Sequence, residues 1–195
     1  MSFKEFCLGD LVIKINRKNT IDAPVWSVTN DLGFIPSRDF FNKRVASANT
    51  SNYRLVPPDS FAYNPARINI GSVSFNSSLE TGCVSPMYVV FEVVDKEVIA
   101  SEYLWALFKS DQIRLQIDSL ASGSVRQTLS FQDFGRVKLS LPPLSTQKRI
   151  GGIYATMEEK MRLNRRMIQV LKETQNTLLS EMMRETVASE VGYGL

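Results

Sequence analysis

The chain has 195 residues, of which 44% are hydrophobic, and a formal net charge of +3. That length allows one domain of ordinary size with a real core and leaves residues for an extended segment. With two cysteines and no histidine, the sequence excludes a zinc site and a histidine-based catalytic triad. Cys7 and Cys83 are too few for a disulfide framework, so both are expected to be small buried residues.

The distribution of charge is more informative than its sum. Residues 80–120 hold three basic and seven acidic side chains, whereas the flanking segments 32–79 and 121–144 are basic. These flanks would form one basic face if they meet in space; the alternative is a scatter of solvated charges. The N-terminus lacks a signal-peptide pattern, and no apolar run reaches the roughly 18 residues of a membrane span, which favours a cytoplasmic protein.

The first part of the chain consists of short predicted strands separated by polar turns. Alternating apolar residues predict strands at Leu8–Ile15, Trp26–Thr29 and Tyr53–Val56. The polar segment Pro36–Asn52 is predicted to be a loop or short helix that exposes basic side chains. Its candidates for DNA contact are Arg38, Lys43 and Arg44.

The stretch Tyr63–Asn76 is predicted to be a strand and loop with one apolar face and one hydrogen-bonding face. Ile68 and Ile70 fall on the apolar face. The candidates for DNA contact on the other face are Asn64, Arg67, Asn69, Ser72 and Ser74. Arginine pairs with guanine edges and asparagine with adenine edges, and serine and asparagine also bind phosphates. The alternative for Asn64 and Asn69 is that they satisfy backbone groups in turns.

The later part of the domain alternates between core elements and a polar hinge. The apolar run Met87–Val94 predicts a buried central strand. Amphipathic helices are predicted to begin at Ser101 and at Ser110 or Asp111, and a last strand is predicted at Arg136–Leu141. In the hinge, Gly123 allows close approach to a partner, and Arg126 and Gln127 could reach a phosphate or a base.

From Ser145 to about Thr186, apolar residues recur with a seven-residue repeat that predicts a coiled-coil helix. The predicted dimer seam has ten positions: Ile150, Tyr154, Met157, Met161, Asn164, Ile168, Leu171, Gln175, Leu178 and Met182. Eight of these residues are apolar or aromatic, and Asn164 and Gln175 are polar. About 40 helical residues make a rod of order 60 Å, which one domain cannot bury, so the helix needs a partner. The polar Asn164 favours a specific pairing; the alternative is that the seam opens to solvent at Asn164 and Gln175.

Three stretches taken together resemble a known family. Leu141-Pro142-Pro143-Leu144, followed by Gln147, Ile150 and Met161–Arg166, resembles the conserved helical region of the DNA-specificity subunit of Type I restriction-modification enzymes. The segments Tyr63–Ser72, Val84–Phe91 and Ser122–Gln127 resemble parts of that family's target recognition domain. The resemblance extends to about Arg184.

The resemblance implies an α+β protein with a mixed α/β target recognition domain followed by a long C-terminal coiled-coil helix. The expected boundaries are 1–143 for the recognition domain, 144–186 for the helix and 187–195 for a flexible tail. A typical member carries two recognition domains separated by two antiparallel helices, so this chain resembles a half-length form. A homodimer through the helix would read a bipartite palindromic site in double-stranded DNA. The family also implies methyltransferase subunits as partners, restriction subunits in the full complex, and no catalysis in this chain.

The motifs agree with a non-catalytic protein that needs no cofactor or metal. The sequence has no glycine-rich cofactor loop and no phosphate-binding Gly-Lys-Ser/Thr loop. Tyr63-Asn64-Pro65-Ala66 lacks the second proline of a methyltransferase signature, and Glu158-Glu159-Lys160 lies on a helix where an i to i+2 pair does not converge. The alternative function is a non-catalytic coiled-coil adaptor between proteins, which salt-dependent DNA binding would distinguish. A free-standing enzyme has no candidate nucleophile, base or metal cluster.

Overall fold

The computed structural model describes residues 3–30, 33–37, 49–122 and 128–192, with the side chains of residues 122 and 185–192 excepted. The chain divides into two compact units, Met1–Tyr154 and Ala155–Leu195. Among the described residues, none of the helices combines the length and apolar character that crossing a membrane requires.

The first unit combines short antiparallel strand pairs with helices. The strands are β1 (Lys4–Cys7), β2 (Val12–Ile15), β3 (Trp26–Thr29), β4 (Gly33–Pro36), β5 (Arg54–Val56), β6 (Ser60–Tyr63), β7 (Val73–Phe75), β8 (Gly82–Val84), β9 (Val89–Val93) and β10 (Lys138–Leu141). The described helices are α1 (Ser101–Phe108), α2 (Asp111–Ser122), α3 (Phe131–Phe134) and α4 (Leu144–Gly192), with 3₁₀ turns at Leu8–Asp10 and Ile68–Ile70. The α+β class and the long C-terminal helix are confirmed.

A four-stranded antiparallel sheet, in the order β2-β9-β6-β7, lies at the centre of this unit. β9 is paired on both sides, with Val90 opposite Ile15 of β2 and Val89 opposite Tyr63 of β6. The prediction of a central strand in Met87–Val94 is therefore confirmed. The remaining strands form the pairs β1-β10, β3-β4 and β5-β8.

Aromatic side chains fill the core between this sheet and the helices. Phe91 of β9 stacks on Phe61 of β6 at 5.0 Å between ring centroids and meets Phe134 of α3 at 5.6 Å. Phe108 of α1 stacks on Phe134 at 5.6 Å. All four rings are buried. Because aromatic rings bury large areas and interlock at fixed angles, this cluster fixes β6 and β9, whose ends hold the candidate site.

The first turns of α4 are attached to the domain by a buried glutamine and a glycine. Gln147 is 1% exposed; its Oε1 accepts from the Ala100 N–H at 3.1 Å, and its Nε2 donates to Val98 O at 3.0 Å and Pro142 O at 2.9 Å. A Cβ on Gly151 would lie 2.8 Å from the Tyr103 backbone nitrogen, so only glycine allows this approach.

Three predictions of local structure were wrong. Leu8–Asp10 forms a 3₁₀ turn, and β2 begins only at Val12, because Gly9 bonds to Gly135 O at 2.9 Å instead of joining a sheet. The predicted strand through Tyr63–Asn76 is interrupted by the 3₁₀ turn Ile68–Ile70. Cys7 is exposed, and only Cys83 is buried.

The helix α4 is longer than the repeat indicated. It continues to Gly192, whereas the prediction ended it near residue 186 and assigned 187–195 to a flexible tail. No proline or glycine lies between Gly152 and Gly192, so nothing in the local sequence ends the helix earlier. Residues 193–195 lie outside the described part of the chain.

Replacing Gln147 with alanine should lower the free energy of unfolding by about 3 kcal/mol. The substitution leaves one buried N–H and two carbonyl oxygens without the partners they have now, and unsatisfied buried groups cost more than a hydrogen bond contributes. Gln116→Ala is the matched control. Its side chain also bonds one backbone N–H and one carbonyl, both of Lys138, but it is not buried. Urea denaturation should show a much smaller loss for the control, and equal losses would contradict the assigned role of Gln147.

Candidate nucleic-acid interface

The loop Asn64–Ser72, which joins β6 to β7, closes one end of the central sheet. The Asn64 N–H donates to Ser72 O at 3.0 Å, and the Arg67 N–H donates back to Asn64 O at 3.0 Å. Gly71 adopts the left-handed conformation, with a φ of 89°, and the buried side chain of Ile68 anchors the turn in the core. The loop is therefore a compact turn, and the strand alternation predicted for its side chains does not hold.

The polar candidates in this region separate by burial. Arg67 is exposed and Asn69 is half-buried, so both remain accessible to a ligand. Asn64, Ser72 and Ser74 are 5%, 3% and 0% exposed. The Asn64 Oδ1 accepts from the Ala66 N–H at 3.0 Å, which is the turn role considered as its alternative. These three buried side chains cannot reach DNA in this conformation, so the structure removes them from the candidate interface.

The turn that precedes β9 lies beside this loop. The Tyr88 N–H donates to Ser85 O at 3.0 Å, and the Arg54 guanidinium donates to Tyr88 O at 2.5 Å. Burial raises the pKa of the Tyr88 phenol, while a backbone hydrogen bond at Val28 and the positive charge of Arg67 oppose that rise. Tyr63, the last residue of β6, pairs with Val89, which directly follows Tyr88, so the loop and this turn lie at the same end of the sheet.

A second pair of cations joins this surface through strand register. Lys18 is the bridge partner of Arg54, and the Leu55 N–H donates to Arg17 O at 2.8 Å. Arg17 and Lys18 are exposed and, like Arg67, form no ion pair with another described residue. We call this surface the basic end; it consists of Arg17, Lys18, Arg54, Arg67, Asn69, Ile70, Met87 and Tyr88.

The sequence analysis did not include Arg17, Lys18 and Arg54 among the candidates for DNA contact. The first two follow β2 and were assigned to a polar turn, although two adjacent cations directly after a strand are themselves a signal of an exposed basic site. Arg54 begins a predicted strand, and its proximity to Lys18 depends on a bridge between segments 36 residues apart. No local pattern contains that information.

Five predicted contacts lie outside the described residues: Arg38, Lys43, Arg44, Arg126 and Gln127. The described residues next to them are anchored near the basic end. Asn19, which directly follows Lys18 in the chain, donates from its side chain to the Thr50 hydroxyl at 3.2 Å. The Leu129 N–H donates to Pro65 O at 2.9 Å, and the Tyr63 hydroxyl donates to Leu129 O at 3.2 Å.

In the second unit, the apolar side of α4 is open to solvent. The predicted seam side chains from this unit are 52–62% exposed: Met157, Met161, Ile168, Leu171, Leu178 and Met182. Asn164 and Gln175 are exposed as well. Of the two earlier seam residues, Ile150 is 38% exposed, while Tyr154 is half-buried and packs against the core of the first unit. The apolar seam side chains from Met157 to Leu178 therefore expose more than half of their surface.

A second apolar row lies beside the seam. Leu163, Met167 and Val170 each precede a seam residue by one position and are 49–61% exposed. One residue corresponds to about 100° of rotation around a helix, so this row faces a different direction from the seam. A polar face completes the helix, where Arg162 forms a bidentate pair with Glu159, at 2.7 and 2.8 Å.

Comparison with known proteins identifies the family. Residues 2–173 match the family model described as the Type I restriction modification DNA specificity domain. Over 188 residues, the chain is 24% identical to the Type I restriction enzyme HindI specificity subunit of Haemophilus influenzae, covering 90% of this chain and 39% of that protein. The chain thus spans well under half the length of this curated relative.

Solved structures show the same fold. The HsdS subunit from Thermoanaerobacter tengcongensis superposes with a TM-score of 0.58 at 18% identity, over 85% of this chain and 44% of the other. The S subunit of the Type I restriction-modification system from M. genitalium gives 0.61 at 16% identity, over 91% and 44%. Since the family model matches most of the sequence, including α4 as far as residue 173, the chain belongs to the Type I restriction-modification DNA specificity domain family.

Proposed function

We propose that this chain reads DNA as the specificity subunit of a Type I restriction-modification system, in a half-length form with one target recognition domain and one helix. The family match over residues 2–173 supports this proposal most strongly. The chain itself is non-catalytic and needs no cofactor, and it acts in the cytoplasm, where its DNA target lies. Methylation and cleavage belong to partner subunits.

The basic end is the proposed DNA-binding surface. Its cations come from the segment after β2, the start of β5 and the Asn64–Ser72 loop, and they lie at one end of the sheet without acidic partners among the described residues. Such a cluster binds phosphates by releasing counterions. Arg67 and Asn69 are held in a compact turn, and their side-chain chemistry suits guanine and adenine edges. Arg38, Lys43, Arg44, Arg126 and Gln127 remain proposed contacts.

The seam of α4 is proposed to pair with a second copy of the chain. An identical helix always offers a seam of equal length, and a two-fold axis makes the contact closed and self-complementary. The family's two antiparallel helices favour an antiparallel pair, with one recognition domain at each end. Asn164 and Gln175 would then lie in the pairing surface, where a polar group fixes register.

The row Leu163, Met167 and Val170 is proposed to receive the methyltransferase subunits. The seam cannot serve both partners at once, and this row is a second exposed apolar surface on the same helix. The ion pair between Glu159 and Arg162 would belong to the polar rim that surrounds such a contact. Restriction subunits would join in the full complex.

Alanine substitutions in the basic end should weaken DNA binding in two distinct ways. Lys18→Ala should weaken binding to all sequences and lower the salt slope by about one, as expected for one lost phosphate contact. Arg67→Ala should cost roughly 1–3 kcal/mol and relax specificity if its guanidinium reads a base.

The control for these substitutions is Lys96→Ala. Lys96 pairs with Asp59, which precedes β6 at the end of the strand away from the basic end. Fluorescence anisotropy at several salt concentrations should show unchanged binding for this variant. Equal losses in all three variants, or none in Lys18→Ala and Arg67→Ala, would contradict the assigned surface and favour the protein adaptor.

Charges placed on the two apolar rows of α4 should separate the two proposed partners. Leu178→Asp should abolish the dimer, because a two-fold contact buries the unpaired charge twice. Met167→Asp should leave the dimer intact and lose the methyltransferase subunit in co-purification. Ser180 lies two positions after Leu178, on the polar face of the helix. Ser180→Asp is therefore the control for both substitutions. A monomeric unchanged chain in light scattering would contradict the seam, and retention of the methyltransferase by Met167→Asp would contradict the second row.

The recognised site should be an interrupted palindrome. Two identical domains related by a two-fold axis must meet the same half-site on opposite strands, with a gap between them. Methylation mapping of a complex in which this chain is the only specificity subunit measures the site directly. Insertion of seven residues into α4 preserves the seam pattern and should change the gap while the half-sites stay the same. A continuous asymmetric site would refute the symmetric arrangement.

A further inference from the structure

The Asn64–Ser72 loop exposes one large apolar side chain. Ile70 is 57% exposed, whereas Ile68, two residues earlier, is 2% exposed and belongs to the core. Strand alternation predicts that both lie on one buried face. The 3₁₀ turn has three residues per turn, so residues two apart point in different directions, and Ile70 is turned out to solvent.

The backbone that carries Ile70 is held in one conformation. The Ile70 N–H donates to Arg67 O at 3.2 Å, and the Gly71 N–H donates to Ile68 O at 2.9 Å. The loop is also tied to the segment before α3, because the Leu129 N–H donates to Pro65 O at 2.9 Å. Because the backbone is already ordered, covering Ile70 in a complex costs no further backbone entropy, and only the limited rotamer freedom of a β-branched side chain is lost.

Ile70 shares this turn with two side chains that suit base edges. Arg67 is exposed and Asn69 is half-buried. In the major groove, all base pairs offer hydrogen-bonding groups, but only thymine adds an apolar C5-methyl group. A polar side chain gains little from that methyl, whereas an isoleucine removes it from water. We propose that Ile70 reads thymine by packing against its C5-methyl group in the major groove. The inference rests on the proposed binding of DNA by the basic end.

The test compares thymine with deoxyuridine, which lacks only the methyl group, in one of the two half-sites found by methylation mapping. The unchanged full-length chain should bind the deoxyuridine duplex about fourfold more weakly in anisotropy titrations, the effect of one methyl group buried. Ile70→Ala should bind the thymine duplex more weakly than the unchanged chain does. Removal of the thymine methyl group should then have no further effect on the binding of this variant, because the isoleucine side chain that contacts the methyl group is already absent.

Ile13→Ala is the matched control. Ile13 is 55% exposed but lies within β2, opposite Glu92, outside the basic end. This variant should keep the full fourfold response. The proposal is overturned if Ile70→Ala responds to deoxyuridine as strongly as the unchanged chain, or if the unchanged chain binds its site with no response. A mapped half-site without any A·T pair also overturns it.

Two further outcomes are distinguishable. If Ile70→Ala keeps the methyl response but loses unstacking of a base step, measured with 2-aminopurine, then Ile70 acts as a wedge and the methyl contact is wrong. If the unchanged chain binds no DNA of any sequence, the proposed function itself fails. Thermal unfolding of Ile70→Ala should match that of the unchanged chain, because the replaced side chain is exposed.

Discussion

The uncovered apolar side of α4 is the constraint on which the rest of the molecule depends. From Met157 to Met182 the seam side chains are more than half exposed, and each apolar side chain that is fully buried contributes roughly 1.5–3 kcal/mol. The described apolar residues of the first unit pack into a core of their own, which is rich in aromatic rings. The proposed pairing with a second copy would remove this apolar side from water, and this is the physical reason for expecting an assembly.

The basic end, as the proposed recognition surface, is built from loops and strand ends of a small sheet and not from a helix. Its members come from the segment after β2, the start of β5, the turn before β9 and the Asn64–Ser72 loop. Each segment is fixed by backbone hydrogen bonds to its neighbour, as in the bridge between Lys18 and Arg54. An ordered backbone suits the proposed DNA-binding role, because it presents side chains in a constant register.

The long apolar patterns in the sequence predicted the correct secondary structure, whereas a short apolar alternation predicted a strand that is not present. The continuous apolar run that became β9 and the heptads of α4 each have one physical explanation, so they could be found without a structure. The alternation around Ile68 and Ile70 was too short to separate a strand from a 3₁₀ turn, and Gly71, at positive φ, decides for the turn. Cys7 and Cys83 differ in burial because of their tertiary surroundings, which no spacing reveals. The approach of Lys18 to Arg54 is likewise a product of register alone.

The Leu141–Gln147 motif has a physical meaning that links the domain to its helix. The Gln147 side chain forms hydrogen bonds with three backbone groups, the carbonyls of Val98 and Pro142 and the N–H of Ala100. Gly151 allows the helix to contact the backbone of α1. In the proposed dimer, a loosely attached first turn would let the two domains sample many separations. The proposed gap between half-sites requires the opposite, because bound DNA selects one separation only when the alternatives are costly. The hydrogen bonds of Gln147 hold the first turn of α4 against the domain, as such an arrangement needs.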